Sequence, residues 1–452
     1  MHYGEDDASV AAVAASVAAE QQAAPAQPTP AQPTPGQPLP TQALQPQGAE
    51  PALGVAMVAA CGPIELEFAA LRKGCGLFDE AHRAVLELRG PDAMEFLNRM
   101  LTQELKGVAS GQVRRSFWLN RKGRIDADVR VTCLGDRVLL DVDVLASRRM
   151  HKGLGAFIIT EDCELVDASQ ALHVLGLHGP TAWDVLRAAS SDAALVGVQH
   201  LAKDTALETT IAGARVVVSR DDIVGEVGLH LCVPSASAVA VAQAIIAAGH
   251  DPHHHEPADS PGRALRVLHS GGRGLGLHLV GWHAINLARL EAGTPIYNID
   301  FGPQSLPAET GVLHDRVSMT KGCYLGQEVV ARMHARGQAK QVLCTIKFES
   351  VFEPGRDGGR DDAGAHQSAY PLAPEAPAPV ALADKPDEVL GTLTSVGYAP
   401  TLGFAPVAFC ACKPALAVPG AVVVVPATRD DGTACTLRGV VQAGLAPGKS
   451  AG

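Results

Sequence analysis

A thirteen-residue pattern occurs twice in this chain, as VLELRGPDAMEFL at Val85–Leu97 and as VLGLHGPTAWDVL at Val174–Leu186. Both copies read VLxLxGPxAxxxL. The apolar first half suits a strand, the Gly-Pro pair a turn, and the second half a helix. Proline is tolerated at a first helical position because its missing N–H has no partner there anyway. In the first copy Phe96, Leu97, Met100 and Leu101 then fall on one helical face. A duplicated strand–turn–helix predicts two related α+β units.

The text around the second copy continues in the same style. RVVVSR and GLHLCV read as strands, and SASAVAVAQAIIAAG reads as a helix closed by Gly249. After about residue 338 the sequence changes to short β-type segments: QVLCTIKF, VLGTLTSVGY, PVAFCAC, AVVVVPA and TLRGVVQ. Those predict a small barrel or sandwich. The expected class is therefore α+β. A core spans 61–337, with the second unit at about 172–270 and the two units interleaved. A β-rich domain covers 338–447.

Two stretches fall outside this pattern. Residues 1–60 form an Ala/Pro/Gln-rich tail whose AQPTPAQPTPGQPLP run predicts a disordered or polyproline-II tether. Residues 355–388 read as a disordered surface loop inserted in the β-rich domain. The net charge of −11 argues against strong direct binding to nucleic acid, which needs clustered Lys and Arg. The ten cysteines follow no framework spacing and read as reduced thiols. No run of about 18 apolar residues predicts a membrane span. The N-terminal region is acidic and has no Lys or Arg before Arg72, unlike secretory or organelle leaders. A bacterial cytoplasm is the expected location, an organelle matrix less so.

The chemistry-bearing stretch is KGCYLGQEVVARMHARG, Lys321–Gly337. Gln327–Arg336 fits a helix, with Glu328 and Arg332 at the favourable four-residue spacing. Val329, Val330 and Met333 can face inward, and Gly337 suits the position after the helix. Cys323 then lies on the loop entering a helix, near Lys321, and both features favour a thiolate. Gly322 and Gly326 permit close approach of backbone or ligand. A reactive thiol and a buried structural cysteine are both open on these grounds.

Other candidates are weaker alone. In RKGRIDADVRV, Asp126 and Asp128 alternate with apolar residues, so both project to one face of a strand. They form either a working carboxylate pair or a solvated sheet face. Glu226 lies close to Gly225 and Gly228 in VGEVGLHL, where a carboxylate can meet a flat ligand. The HDPHHHE run at His250–Glu256 reads as a solvated loop, because structural zinc sites draw on separated segments. Cys410 and Cys412 share one strand face, but two ligands fall short of the four an iron–sulfur cluster takes. No metal site is expected.

The pattern K-G-C-Y-x-G-Q-E-x-x-x-R, carried by Lys321, Gly322, Cys323, Tyr324, Gly326, Gln327, Glu328 and Arg332, closely resembles the signature of the YgfZ family. These are folate-binding relatives of the glycine-cleavage T-protein (GcvT). LARLEAGTPIYNIDF (Leu287–Phe301) resembles the LRxEAG…Y…D segment of both groups, and LPAETG (Leu306–Gly311) their PxExG element. KGCGLFDEAHRAVLELRGPDAMEFLNRMLT and GEVG are similar to their N-terminal region and GExG. The resemblance spans roughly 61–445 without the insert. It implies a GcvT-like three-domain ring with tetrahydrofolate, or a derivative, in a central channel and a C-terminal β-barrel. Asp128 aligns best with a T-protein carboxylate that works on aminomethyl transfer. Ala127 precedes it, Cys323 stands where T-proteins carry Asp, and Asn286 stands where they usually have Asp. These departures favour YgfZ.

The resemblance implies an accessory factor for iron–sulfur assembly or repair, supporting client enzymes such as tRNA-modifying radical enzymes. A tetrahydrofolate-dependent aminomethyltransferase, or other one-carbon transferase, is the alternative. Cys323, Lys321 and Asp128 are the expected catalytic residues, with Lys321 ionising the thiol. Glu226, Arg289, Tyr324, Gln327, Glu328 and Arg332 are the expected cofactor-binding set, with Glu226 at the pterin end. One cysteine cannot hold a cluster alone, so a transient iron–sulfur cluster would be shared with a partner.

Overall fold

The computed structural model describes residues 55–192, 195, 200–249, 275–336, 339–351, 370–429 and 432–443. The His250–Glu256 run, most of the N-terminal tail and residues 355–369 of the expected insert lie outside them.

Both copies of the repeat fold as strand, turn and helix. The chain enters through α1 (Ile64–Lys73) and β1 (Cys75–Asp79). The first copy forms β2 (Arg83–Arg89) and α2 (Ala93–Met100). It is followed by β3 (Val113–Leu119), β4 (Ile125–Cys133), β5 (Val138–Asp143), α3 (Val144–Gly155) and β6 (Glu164–Asp167). The second copy forms β7 (Leu172–His178) and α4 (Ala182–Ala189). After it come β8 (Ala206–Ile211), β9 (Ala214–Arg220), β10 (Gly228–Pro234) and α5 (Ala238–Gly249). β11 (Leu277–Leu279) and α6 (Trp282–Ala292) close the second unit.

The first sheet has the order β3-β4-β5-β2-β6 and the second β11-β1-β7-β10-β9-β8. β1 precedes the first unit in sequence yet pairs with β7 and β11, so the two units are threaded through each other. Phe96, Leu97, Met100 and Leu101 are all buried against the first sheet, as their spacing predicts. The second sheet is covered in the same way by α4 and α5, through Trp183, Leu186, Val241 and Ile245.

The other faces of the two sheets meet. A strip of Val85 and Leu139 packs on Val174, Val217 and Cys232. Beside it lies a buried ionic network. Asp141 is bound by Arg83, Arg130 and His230, and Glu80 by His230. Arg83, His230 and Arg130 hold the Asp141 carboxyl well below its ordinary pKa against the effect of burial. Burial, the largest influence, pushes His82 down to about 4, with Arg83 and His230 adding to it and Glu80 and Asp141 opposing.

In both copies the prolines fall in the turn just before the helix, not at its first position. The glycines before them carry the bend. Gly90 has φ +113° and Gly179 φ +132°. A Cβ at Gly179 would stand 2.4 Å from the Gly74 carbonyl oxygen, and one at Gly90 2.3 Å from that of Asp162. Gly179→Ala is therefore expected to lower the unfolding free energy by about 1–3 kcal/mol in a denaturant titration. A cost under about 0.5 kcal/mol would show that this turn relaxes freely.

The C-terminal domain is a closed six-stranded barrel of order β12-β15-β14-β13-β16-β17. Its strands are β12 (Val342–Phe348), β13 (Pro379–Leu382), β14 (Lys385–Ala399), β15 (Ala405–Cys412), β16 (Val422–Thr428) and β17 (Ala434–Gln442). Five of these match the β-type segments of the sequence. β13 corrects the reading of 355–388 as a disordered loop. Leu372 and Ala378 are buried in the barrel core, and β13 pairs with β14 and β16 to close it. Pro374, Pro377 and Pro379 hide a strand of only four residues in the sequence, because prolines read as breakers. Among the described residues, no helix is long and apolar enough to cross a membrane.

Candidate functional site

Between α6 and the barrel, α7 (Leu313–Arg316) and α8 (Gln327–Arg336) lie against the open end of the first sheet. The loop carrying Cys323 is built from three anchors. Tyr324 is buried in the core beneath the first sheet, where burial pushes its hydroxyl up to about 12. Lys321 is buried too, and its ammonium sits 5.4 Å over the Tyr324 ring. Gly326, at φ +81°, packs so closely on the β3–β4 hairpin that a Cβ would lie 2.8 Å from the Asn120 carbonyl oxygen. Gly123 in that hairpin is equally close to Val329 of α8. The loop is thus pinned to the hairpin that leads directly into Asp126 and Asp128.

Between these anchors Cys323 is exposed, and no side chain crowds Gly322. The sulfur is reachable from solvent and is not core filling. Lys321 does something other than expected. Its Nζ donates to the carbonyls of Asn98, Leu101 and Gln103 at 2.7, 2.7 and 2.8 Å. All three N–H donors of the ammonium are therefore engaged at the C-terminal end of α2, where unpaired carbonyls collect. Burial pulls the Lys321 pKa down to about 8. Its geometry is that of a helix cap and loop anchor, so the expectation that it ionises Cys323 gives way to a positioning role.

Asp126 and Asp128 project from the same face of β4, each half-buried between buried Ile125, Ala127 and Val129. Asp128 Oδ1 accepts from Arg316 Nε of α7 at 3.0 Å. No other hydrogen bond to Asp128 is made among the described residues, so its second oxygen has no protein donor there. Asp126 accepts from Asn120 Nδ2 at 3.1 Å, and burial raises its pKa. Tyr297 Oη lies 2.9 Å from the Asp126 carbonyl oxygen, and Arg149 reaches the same oxygen at 2.8 Å.

Glu226 is half-buried in the bend between β9 and β10. Asp221, at the start of that bend, binds both Arg115 of β3 and Arg130 of β4. The bend carrying Glu226 is thereby tied to the sheet carrying Asp128. Gly225, φ +86°, approaches α6 at Ala292. Asp128 and Glu226 are thus half-buried carboxylates on two units that the Asp221 ion pairs tie together.

The remaining expected contacts divide. Glu328 and Arg332 are exposed on α8, and no ion pair joins them. Gln327 is half-buried at the start of that helix. Arg289 leaves the list of cofactor contacts. It is fully buried, and its guanidinium is engaged by Asp300, Asn286 Oδ1, Ser395 Oγ and the Thr294 carbonyl. Its plane lies 5.5 Å over the Phe409 ring. With no open face it serves as the joint between α6 and the barrel. Sequence reasoning passed over Arg316 and Asp221. No local spacing marks either, because their partners lie 188 residues away for Arg316 and 106 for Asp221. Tyr297 stood inside a quoted segment, and its role needed the fold.

Two threaded α+β units with a closed six-stranded barrel behind them define a GcvT-like fold. Residues 60–258 match the family model described as the GCVT N-terminal domain. The chain is 28% identical over 339 residues to the aminomethyltransferase of Halothermothrix orenii, covering 74% of this chain and 80% of that protein. It is 26% identical to the mitochondrial aminomethyltransferase of Dictyostelium discoideum, over 68% of this chain and 74% of the relative. A crystal structure of glycine cleavage system aminomethyltransferase T from Bartonella henselae superposes with a TM-score of 0.66 at 21% identity. It covers 89% of this chain and 94% of that one. The fold is GcvT-like, and in sequence the chain is similar to the GCVT N-terminal domain and to aminomethyltransferases of the GcvT-like superfamily.

Proposed function

We propose that this chain binds tetrahydrofolate and acts on a one-carbon unit carried by it, as a transferase of the aminomethyl type. The observation that carries this reading is a pair of half-buried carboxylates, Asp128 and Glu226, on two units tied together by the ion pairs of Asp221. Asp128 keeps one oxygen without a protein donor, and Glu226 enters no ion pair among the described residues. A reduced pterin presents several N–H donors, so partly desolvated carboxylates fit it. The names of the relatives support the same chemistry. When bound, tetrahydrofolate would supply the nitrogen that accepts the carbon unit. Asp128 would hold or move a proton there, Arg316 would fix its carboxylate, and Glu226 would orient the pterin. Calorimetric titration with tetrahydrofolate tests the ligand, and absence of heat up to millimolar concentration would remove it.

A second reading is a folate-binding accessory factor for iron–sulfur proteins, as the K-G-C-Y-x-G-Q-E-x-x-x-R motif suggests. One observation favours it: an exposed thiol at Cys323, on a loop pinned by Lys321, Tyr324 and Gly326. Transfer of an aminomethyl group does not call for that sulfur. Cys323→Ser is expected to leave stability within about 0.5 kcal/mol, since the side chain is exposed. Under the second reading it abolishes support of cluster-dependent tRNA modification in a deletion strain. Full complementation by the variant would leave the aminomethyl-transfer reading alone.

A further inference from the structure

The barrel brings Cys344 to Cys410 and Cys412, which lie 66 and 68 residues further along the chain. Cys344 on β12 lies directly opposite Cys410 on β15, and Cys412 follows two residues later on the same strand face. Their Sγ atoms all lie within 4.8 Å of one another, and Cys344 and Cys412 are 3.5 Å apart. Cys410 and Cys412 are fully buried, and Cys344 is half-buried. Opposite Cys412 on β14 stands Gly391. A Cβ there would come within 2.6 Å of Cys412 Cβ and 2.8 Å of Cys410 Sγ, so the missing side chain makes room for the sulfurs.

We propose that Cys344, Cys410 and Cys412 form a three-sulfur site for a single soft cation of the Cu(I) type. A metal–sulfur bond of about 2.3 Å sets trigonal sulfurs about 4 Å apart, within the range this triangle spans. Among the described residues no His, Asp or Glu joins the group. Structural zinc sites call for a fourth ligand and an iron–sulfur cluster for four cysteines. A donor set of sulfur alone, three in number and shielded from water, suits a soft monovalent ion. Each thiol that becomes a thiolate on binding releases its proton to solvent. The site is independent of the seam between the two sheets and of the folate reading.

The test uses the full chain carrying Cys323→Ser, so that the exposed thiol does not compete. Protein purified without oxygen and stripped of metal is titrated with Cu(I) as its acetonitrile complex against a chromogenic Cu(I) chelator. Parallel titrations use Zn(II). The expected result is one equivalent of Cu(I) held against the chelator, with a raised melting temperature. Cys344→Ala and Cys412→Ala should each weaken binding by more than about 100-fold, beyond the cost of losing an outer-shell partner. Cys344→Ser, at the partly exposed position, serves if an alanine variant misfolds by circular dichroism. Failure to retain one equivalent, undiminished binding in Cys344→Ser, preference for Zn(II), or a Cys344–Cys412 disulfide in anaerobically prepared protein would each overturn the proposal.

Discussion

Replacing Arg289 with methionine is expected to lower the unfolding free energy by about 3–5 kcal/mol, the cost of leaving a buried charge without its partner. The stranded group is Asp300. Its side chain is as fully buried as that of Arg289. Asp300 also accepts from Thr394 and Ser395 of β14 and from the Ile296 backbone N–H. One ion pair therefore connects α6, the loop after it and the barrel. Methionine keeps much of the volume, so the loss reports the charge more than a cavity. Adding Asp300→Asn should recover a large part of the stability, because removing both charges avoids the uncompensated one. Denaturant titration of the two variants checks this. A single variant within about 1 kcal/mol of wild type would mean that Arg289 is not the joint described.

The second large effect is expected at Asp128. Asp128→Asn keeps the shape and one acceptor oxygen but cannot take up a proton as a carboxylate does. If the chain transfers an aminomethyl group, kcat in a glycine-cleavage assay with a lipoyl carrier should fall by about 10²–10⁴-fold, the range for losing a general acid or base. KM for tetrahydrofolate should change much less. The variant also weakens the contact with Arg316, which is 3.0 Å away and buried. A melting curve recorded beside the assay separates that structural effect from the chemical one. Activity within about threefold of wild type would exclude Asp128 from the chemistry.

Local pattern made much of the scaffold readable. The VLxLxGPxAxxxL repeat announced both strand–turn–helix units because its strand, turn and helix signals are all short-range. Short runs of β-type residues marked five of the six barrel strands, and helical spacing marked α8. β13 escaped because its pairing partners, not its own residues, make it a strand. The site was legible more unevenly. The glycines around Cys323 signalled a close backbone approach, which Gly326 makes on the β3–β4 hairpin, but left the exposure of the thiol open. Lys321 was misjudged because nearness in sequence suggested the thiol, whereas its donors reach carbonyls 218 to 223 residues away in the chain. Arg289 was misjudged for a similar reason: a charged residue in a familiar segment gives no hint of complete burial.

The sequence by itself determined the element types, the duplication and the alternation that aims Asp126 and Asp128 to one side. Each follows from contacts within a few residues. Only the tertiary structure decided which charges are spoken for and which remain open, and which sulfurs meet inside the barrel. Arg316 with Asp128, Asp221 with Arg115 and Arg130, and Cys344 with Cys410 and Cys412 are brought together by strand pairing and sheet packing across long loops. Such pairings depend on the closure of the whole chain, and no local spacing encodes them.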